Sequence, residues 1–262
     1  MRFQDLLVGN LRIAYATAGE GPPLVLLHGG WGDHRHWRQQ LEGLSGELEV
    51  TAWDTPGCGR SSDPPAGWGM ADYADCLAAW LDAAGIERPH VLGLSWGGTL
   101  ALELYRRHPA IPSSLVLTGA YAGWAGSLPA GKVAERLARA EAELERPPDE
   151  WAAAYLPGFI TDDAPPGLSD EVLTIMRDLH PEGSRTMMRA MAKSDLRDVL
   201  PRIDVPTLFL HGERDVRSPL SVAEELHSRV AGSKLVVLPG VGHLACAERP
   251  EEFNAEVRSF LL

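Results

Sequence analysis

The sequence predicts an α/β fold: a mostly parallel eight-stranded sheet flanked by helices, with a helical cap inserted into it. Short apolar runs alternate with longer helical patterns, the signature of a sheet with helices on its faces. That alternation stops after Thr118 and resumes at Pro206, so the stretch between is an insertion. A chain of 262 residues is also long enough to bury a substantial core and carry such an insertion.

In chain order, the strands are expected at Phe3 to Val8, Leu11 to Ala16, Pro23 to His28, Leu48 to Asp54, His90 to Leu94, Ser114 to Thr118, Pro206 to His211 and Lys234 to Pro239. Only Gly9 and Asn10 separate the first two, a turn that pairs them antiparallel. Helical patterns cover Trp37 to Leu44, Ala71 to Ala84, Gly97 to His108, Ser221 to Val230 and Glu251 to Leu261. The insertion is rich in Ala, Glu, Arg and Met, with breaks at Arg146-Pro147-Pro148 and Ala164-Pro165-Pro166-Gly167. Its helices are expected near Gly131 to Glu145, Asp149 to Leu156, Asp170 to Leu179 and Gly183 to Lys193. The domain division is therefore a core of residues 1–120 and 203–262 and a cap of residues 121–202.

Composition narrows the function. With 45% hydrophobic and 23% charged residues the chain is of ordinary globular make-up, and its formal charge of −12 gives no attraction to nucleic acid or anionic membranes, which are themselves negative. The first residues lack an apolar run long enough for a signal-peptide core, and no segment approaches the roughly 20 apolar residues of a membrane span. A cytoplasmic location is expected. Cys58, Cys76 and Cys246 are odd in number and far apart, which points to free thiols rather than a disulfide or metal pair.

The most informative stretch is Gly93-Leu94-Ser95-Trp96-Gly97-Gly98, between the buried run His90-Val91-Leu92 and the helix from Thr99. A strand turning abruptly into a helix needs small residues around the turn, and Gly93 and Gly97 supply them, leaving the Ser95 hydroxyl exposed before a helix N-terminus. A Gly-rich turn with a capping serine looks the same in isolation; the strand before and the helix after separate the two. A serine hydroxyl needs a base to become a nucleophile, and the base needs an orienting group. His243 follows the strand ending at Leu238, and Asp215 follows the strand ending at Leu210, so parallel strands would bring all three to one sheet edge. Glu213 and Asp204 are rival acids. Backbone donors for an oxyanion are expected at Gly30, in His28-Gly29-Gly30-Trp31-Gly32, and at Trp96, with Trp31 the alternative to Gly30.

Together these motifs resemble the α/β-hydrolase superfamily. The resemblance extends to Asp54-Thr55-Pro56-Gly57-Cys58-Gly59-Arg60-Ser61, which matches the family's D-x-P-G-x-G-x-S turn, and to Gly242-His243 with Glu248, Arg249 and Pro250. It covers nearly the whole chain outside the cap, and it implies a Ser95, Asp215, His243 triad without metal or organic cofactor. The serine argues against dehalogenases and epoxide hydrolases of this fold, which use aspartate at that place. Leu244 stands where carbon–carbon bond hydrolases carry tryptophan, and Trp31 where proline iminopeptidases carry proline. Glu135, Glu143, Asp178 and Glu182 are the carboxylates available to bind an amine. The Asp33-His34-Arg35-His36-Trp37 segment and the tail from Leu244 to Phe260 look more like enol-lactone hydrolases and small carboxylesterases.

The expected activity is hydrolysis of a small carboxylic ester or lactone through an acyl-enzyme. An aminopeptidase or a carbon–carbon bond hydrolase with the same triad, or a non-catalytic small-molecule receptor, are the alternatives. Trp31, Trp124, Trp151, Tyr155, Met187 and Met191 are candidates to line an acyl pocket, with Phe159 and Met188 of the same apolar set. Residues of this kind pack helices together more often than they touch ligands. Arg60 and His34 are candidates to bind a substrate carboxylate near the entrance, with surface solvation the simpler role for both.

Overall fold

The computed structural model describes all 262 residues. Eight strands form one sheet: β1 (Arg2–Val8), β2 (Leu11–Ala18), β3 (Pro23–Leu27), β4 (Glu49–Trp53), β5 (His90–Leu94), β6 (Ser114–Thr118), β7 (Thr207–Gly212) and β8 (Lys234–Leu238). Their order across the sheet is β1-β2-β4-β3-β5-β6-β7-β8. The β1–β2 and β2–β4 pairs are antiparallel and the remaining pairs parallel. Gly9 makes the expected hairpin turn at φ +58°, pairing Val8 with Leu11.

The central strands β5, β6 and β7 are apolar on both faces because helices cover both; every residue of β6 and β7 is buried. The core helices are α1 (Arg38–Leu44), α2 (Met70–Ala83), α3 (Trp96–Arg107), α9 (Leu220–Arg229), α10 (Ala245–Glu248) and α11 (Pro250–Leu261). A 3₁₀ turn, His34–Trp37, leads into α1, so the helix expected from Trp37 begins one residue later. Asp33 opens that turn by accepting from the Arg35 N–H.

Between β6 and β7 the chain runs through α4 (Trp124–Ser127), α5 (Ala130–Glu143), α6 (Leu156–Phe159), α7 (Leu168–Arg177) and α8 (Pro181–Lys193). The helix expected over Asp149 to Leu156 is instead two 3₁₀ turns, Pro148–Glu150 and Ala152–Tyr155, running into α6. Pro148 and Pro157 each open a segment, where a missing N–H costs nothing, and interrupt anything longer. No helix is long and apolar enough to cross a membrane.

Candidate active site

The turn from β5 into α3 is held by backbone close to backbone. A Cβ on Gly93 would lie 2.4 Å from the Gly97 oxygen, and one on Gly97 would lie 2.1 Å from the Leu27 oxygen. Ser95 sits at φ 52°, ψ −110°, a conformation that costs a non-glycine residue energy and persists only where its surroundings impose it. Its N–H donates to the Thr118 carbonyl at the end of β6 (2.8 Å). From Val91 to Leu100 every residue is buried except Ser95, so this turn delivers one side chain to solvent. The α3 N-terminus stands directly behind it, with its positive dipole end.

Asp215 and His243 come from the loops after β7 and β8. His243 Nδ1 and Asp215 Oδ2 are 2.7 Å apart, and both side chains are buried. An ionised carboxylate only accepts, so Nδ1 carries the proton and Nε2 is left as an acceptor. Asp215 Oδ1 accepts from the Arg217 and Ser218 N–H groups, both at 2.8 Å. Burial pushes this carboxyl up, but the charge and hydrogen bond of His243 and the Ser218 N–H outweigh it and hold Asp215 below its ordinary value. The imidazole lies over Gly119, where a Cβ would come within 2.7 Å of His243 Cε1. Gly119 follows Thr118, the acceptor of the Ser95 N–H, so all three side chains gather around the end of β6. The hydrogen bonds of the structure do not include one between Ser95 Oγ and His243. Of the rival acids, Glu213 accepts from the Gly240 N–H and Asp204 from the Tyr105 hydroxyl.

The loop Gly29 to Gly32 runs beside the serine: a Cβ on Gly29 would stand 3.5 Å from Ser95 Cβ. His28 fixes it. Its Nε2 accepts the Thr55 N–H (3.1 Å), which makes Nδ1 the donor to the Gly29 carbonyl (2.8 Å). Burial pushes the His28 pKa down, in keeping with a neutral ring. Trp31 takes φ +64° while buried. Arg88 also has a positive φ, but on an exposed turn; Trp31 is buried and Ser95 half-buried between buried neighbours. Trp96 N–H lies in the first helical turn, where no intrahelical acceptor exists.

The family-like turn after β4 has a structural task. Asp54 is fully buried and accepts from the His34 N–H, His34 Nδ1 and the Arg60 N–H, while Ser61 Oγ donates to the Asp54 carbonyl. Gly59 is required because a Cβ would meet the Asp54 carboxylate at 2.4 Å. His34 is thus buried on Asp54 rather than solvated at an entrance. Burial alone would lower its pKa, but the bond to Asp54 and the charges of Asp54 and Asp33 hold it above the ordinary value. Asp33, His34 and Asp54 have metal-donor spacing, yet Asp33 is spent on Arg35 and the other two on each other. Their arrangement fits a braced loop.

A cavity of about 600 Å³ adjoins the site; among its walls are Trp31, Trp124, Tyr155, Met188 and Arg217. Met188 reaches the Gly29 to Gly32 loop, since a Cβ on Gly30 would strike Met188 Cε at 2.6 Å. Trp151, Met187 and Met191 are buried outside that lining; Trp151 packs its ring 5.2 Å from Trp31 and 5.6 Å from Tyr155. Arg217 lies outside the sequence expectations, and Phe159 and Glu248, both named there, take roles beside His243 that were not expected of them. Phe159 stacks on the His243 ring at 6.0 Å, and its carbonyl accepts the Leu244 N–H. Glu248, buried, accepts from the Gly242 N–H and from Thr161, tying the histidine loop to the inserted segment. Arg217 flanks the acid. Glu248 carried a signal in the Gly242-His243 motif and Phe159 in the apolar set expected to line a pocket; Arg217, two residues after Asp215, carried none, because its surroundings, the Tyr155 and Phe159 rings, reach it only through tertiary packing.

Residues 24–256 match the model of the alpha/beta hydrolase family. A pimeloyl-[acyl-carrier protein] methyl ester esterase from Neisseria meningitidis serogroup B is 32% identical, with 91% of this chain and 92% of that protein aligned. Pyrrolizixenacetamide deacetylase from Xenorhabdus hominickii is 27% identical over 97% of this chain and 96% of its own length. A thermophilic esterase from Thermogutta terrifontis superposes with a TM-score of 0.90 at 26% identity, covering 100% of this chain and 98% of that one.

Proposed function

The chain belongs to the alpha/beta hydrolase family and is a hydrolase, and on that premise we propose that it cleaves a small carboxylic ester or lactone through an acyl-enzyme formed on Ser95. The observation that carries this reading is the strained, solvent-reaching serine beside a buried His243–Asp215 pair. In the proposed cycle Ser95 Oγ attacks the carbonyl carbon while His243 Nε2 takes its proton. Asp215 keeps the proton on Nδ1 and stabilises the imidazolium, and the N–H groups of Trp96 and of Gly30 or Trp31 bind the oxyanion. His243 then returns the proton to the leaving alcohol and deprotonates the water that frees the acid. Residues 121–202 act as the cap that walls the acyl side.

The charges near the site favour an ester or lactone over an aminopeptidase substrate. An amine would need an uncommitted carboxylate, but Glu135 is paired with Lys132, Glu143 with Arg139, Asp178 with Arg35 and Glu182 with Arg185. A panel of p-nitrophenyl esters, lactones and aminoacyl anilides tests the proposal. Turnover is expected on short esters or lactones and lost in Ser95→Ala; anilide turnover alone would replace the ester reading with the amide one, and no turnover on any member would overturn it.

A further inference from the structure

The cavity beside the site carries a charge opposite to that of the molecule. The chain's formal charge is −12, yet Lys132, Arg136, Arg139 and Arg217 face this cavity against a single lining carboxylate, Glu135. Two of these cations are neutralised: Lys132 Nζ lies 2.8 Å from Glu135 and Arg139 Nε 2.8 Å from Glu143. The other two are not. Arg136 gives its guanidinium to uncharged oxygens, the Tyr121 hydroxyl (3.0 Å) and the Arg217 carbonyl (2.8 Å). Arg217 rests its guanidinium on the faces of Tyr155 (5.0 Å) and Phe159 (4.6 Å) and forms no ion pair.

Building on the hydrolase reading above, we propose that Arg217, with Arg136 beside it, binds a carboxylate of the substrate, so that the ester or lactone cleaved at Ser95 carries a second, ionised carboxyl group a few carbons from its scissile carbonyl. Position supports this. Arg217 donates its backbone N–H to Asp215 Oδ1 (2.8 Å), and one ring, Phe159, separates its guanidinium from the His243 imidazole. Chemistry supports it too. A guanidinium packed against two aromatic rings has already lost part of its rotational freedom, and its planar fork matches a carboxylate. Burial works against its charge and pushes its pKa down from the ordinary arginine value, although an arginine stays protonated, so an incoming anion restores what desolvation removed. Hydrogen bonds to a charged group in such a place are worth roughly 10- to 100-fold in affinity.

The test compares kcat/KM for the monomethyl esters of glutaric and adipic acid with methyl pentanoate and methyl hexanoate. The half-esters are expected to be preferred by at least about 10-fold, and Arg217→Met to lower that ratio by about 10- to 100-fold, with Arg217→Lys recovering part of it. A wild-type ratio at or below one overturns the proposal however the variants fold, as does an undiminished ratio in Arg217→Met. If neither ester class is turned over, the ester or lactone reading is decided by the panel above, and the anion site is then read by calorimetry. Glutarate should bind the wild type and butyrate should not, with binding lost in Arg217→Met; equal binding of the two acids contradicts the site.

Discussion

The sheet edge that carries Ser95, Asp215 and His243 and the helical segment between β6 and β7 are held in place by different forces. At the edge, hydrogen-bonded parallel strands fix the backbone and glycines let chain approach chain, so side chains sit where the ladders put them. The helical segment meets the core partly through ion pairs at its rim, Arg38–Glu171, Arg35–Asp178 and Arg214–Asp163, and through a His180–Asp63 hydrogen bond. Exposed pairs of this sort contribute little each and are screened by salt. A chain of ring contacts from Trp31 through Trp151, Tyr155 and Phe159 to His243 supplies the inner contact. Chemistry is thus proposed on a rigid frame, and selectivity on a more weakly attached one.

The largest effect that could break this division is at the edge itself. Ser95→Ala should lower kcat by 10⁴-fold or more, as triad knockouts generally do, while the unfolding midpoint stays near the parent's. Asp215→Asn should cost around 10⁴-fold, because an amide favours the tautomer that cannot accept from Ser95. Should Asp215→Asn retain activity while Glu213→Gln loses it, the acid is Glu213. Glu248→Gln probes the joint between the two regions: with Thr161 and the Gly242 N–H less firmly held, kcat should fall by around 10-fold with a smaller change in KM. A change confined to KM would mean that Glu248 serves only the inserted segment.

A stability effect sharpens the comparison. His36 packs its ring on Gly32 of the loop after β3, and burial pushes its pKa down to about 4. The unfolded chain, with an ordinary value near 6.5, takes up the proton first, so stability is full above about pH 6.5 and falls as pH drops toward 4, by up to about 3 kcal/mol. In His36→Phe, the fall in urea-unfolding free energy between pH 7 and 4.5 should be visibly shallower than in the parent. An unchanged slope would place the acid sensitivity elsewhere. The smallest effect is dynamic: amides of α5, α7 and α8 should exchange faster than those of β3, β5 and β6, and more so in high salt. Uniform protection would contradict a weakly attached segment.

Legibility in the sequence follows the same division. The eight strands, the turn at Ser95 and the placing of Asp215 and His243 after strands are local patterns, written in periodicity and in glycines whose need is visible within a few residues. Three things depended on contacts distant in sequence. The broken helix over Pro148 to Phe159 is set by proline positions and by aromatic packing onto Trp31 and His243. His34 is buried because Asp54 accepts from it twice, which charge-counting along one loop could not disclose. The unpaired state of Arg217 emerges only once every neighbouring carboxylate has been assigned its partner.

The central claim, that Ser95 is an activated nucleophile, is tested most directly by reaction with a serine-directed fluorophosphonate followed by peptide mapping. One equivalent should add to the peptide containing Ser95, with activity lost in proportion and no addition to Ser95→Ala. Failure to label a folded, turnover-competent protein, or labelling at another serine that tracks the loss of activity, would contradict it.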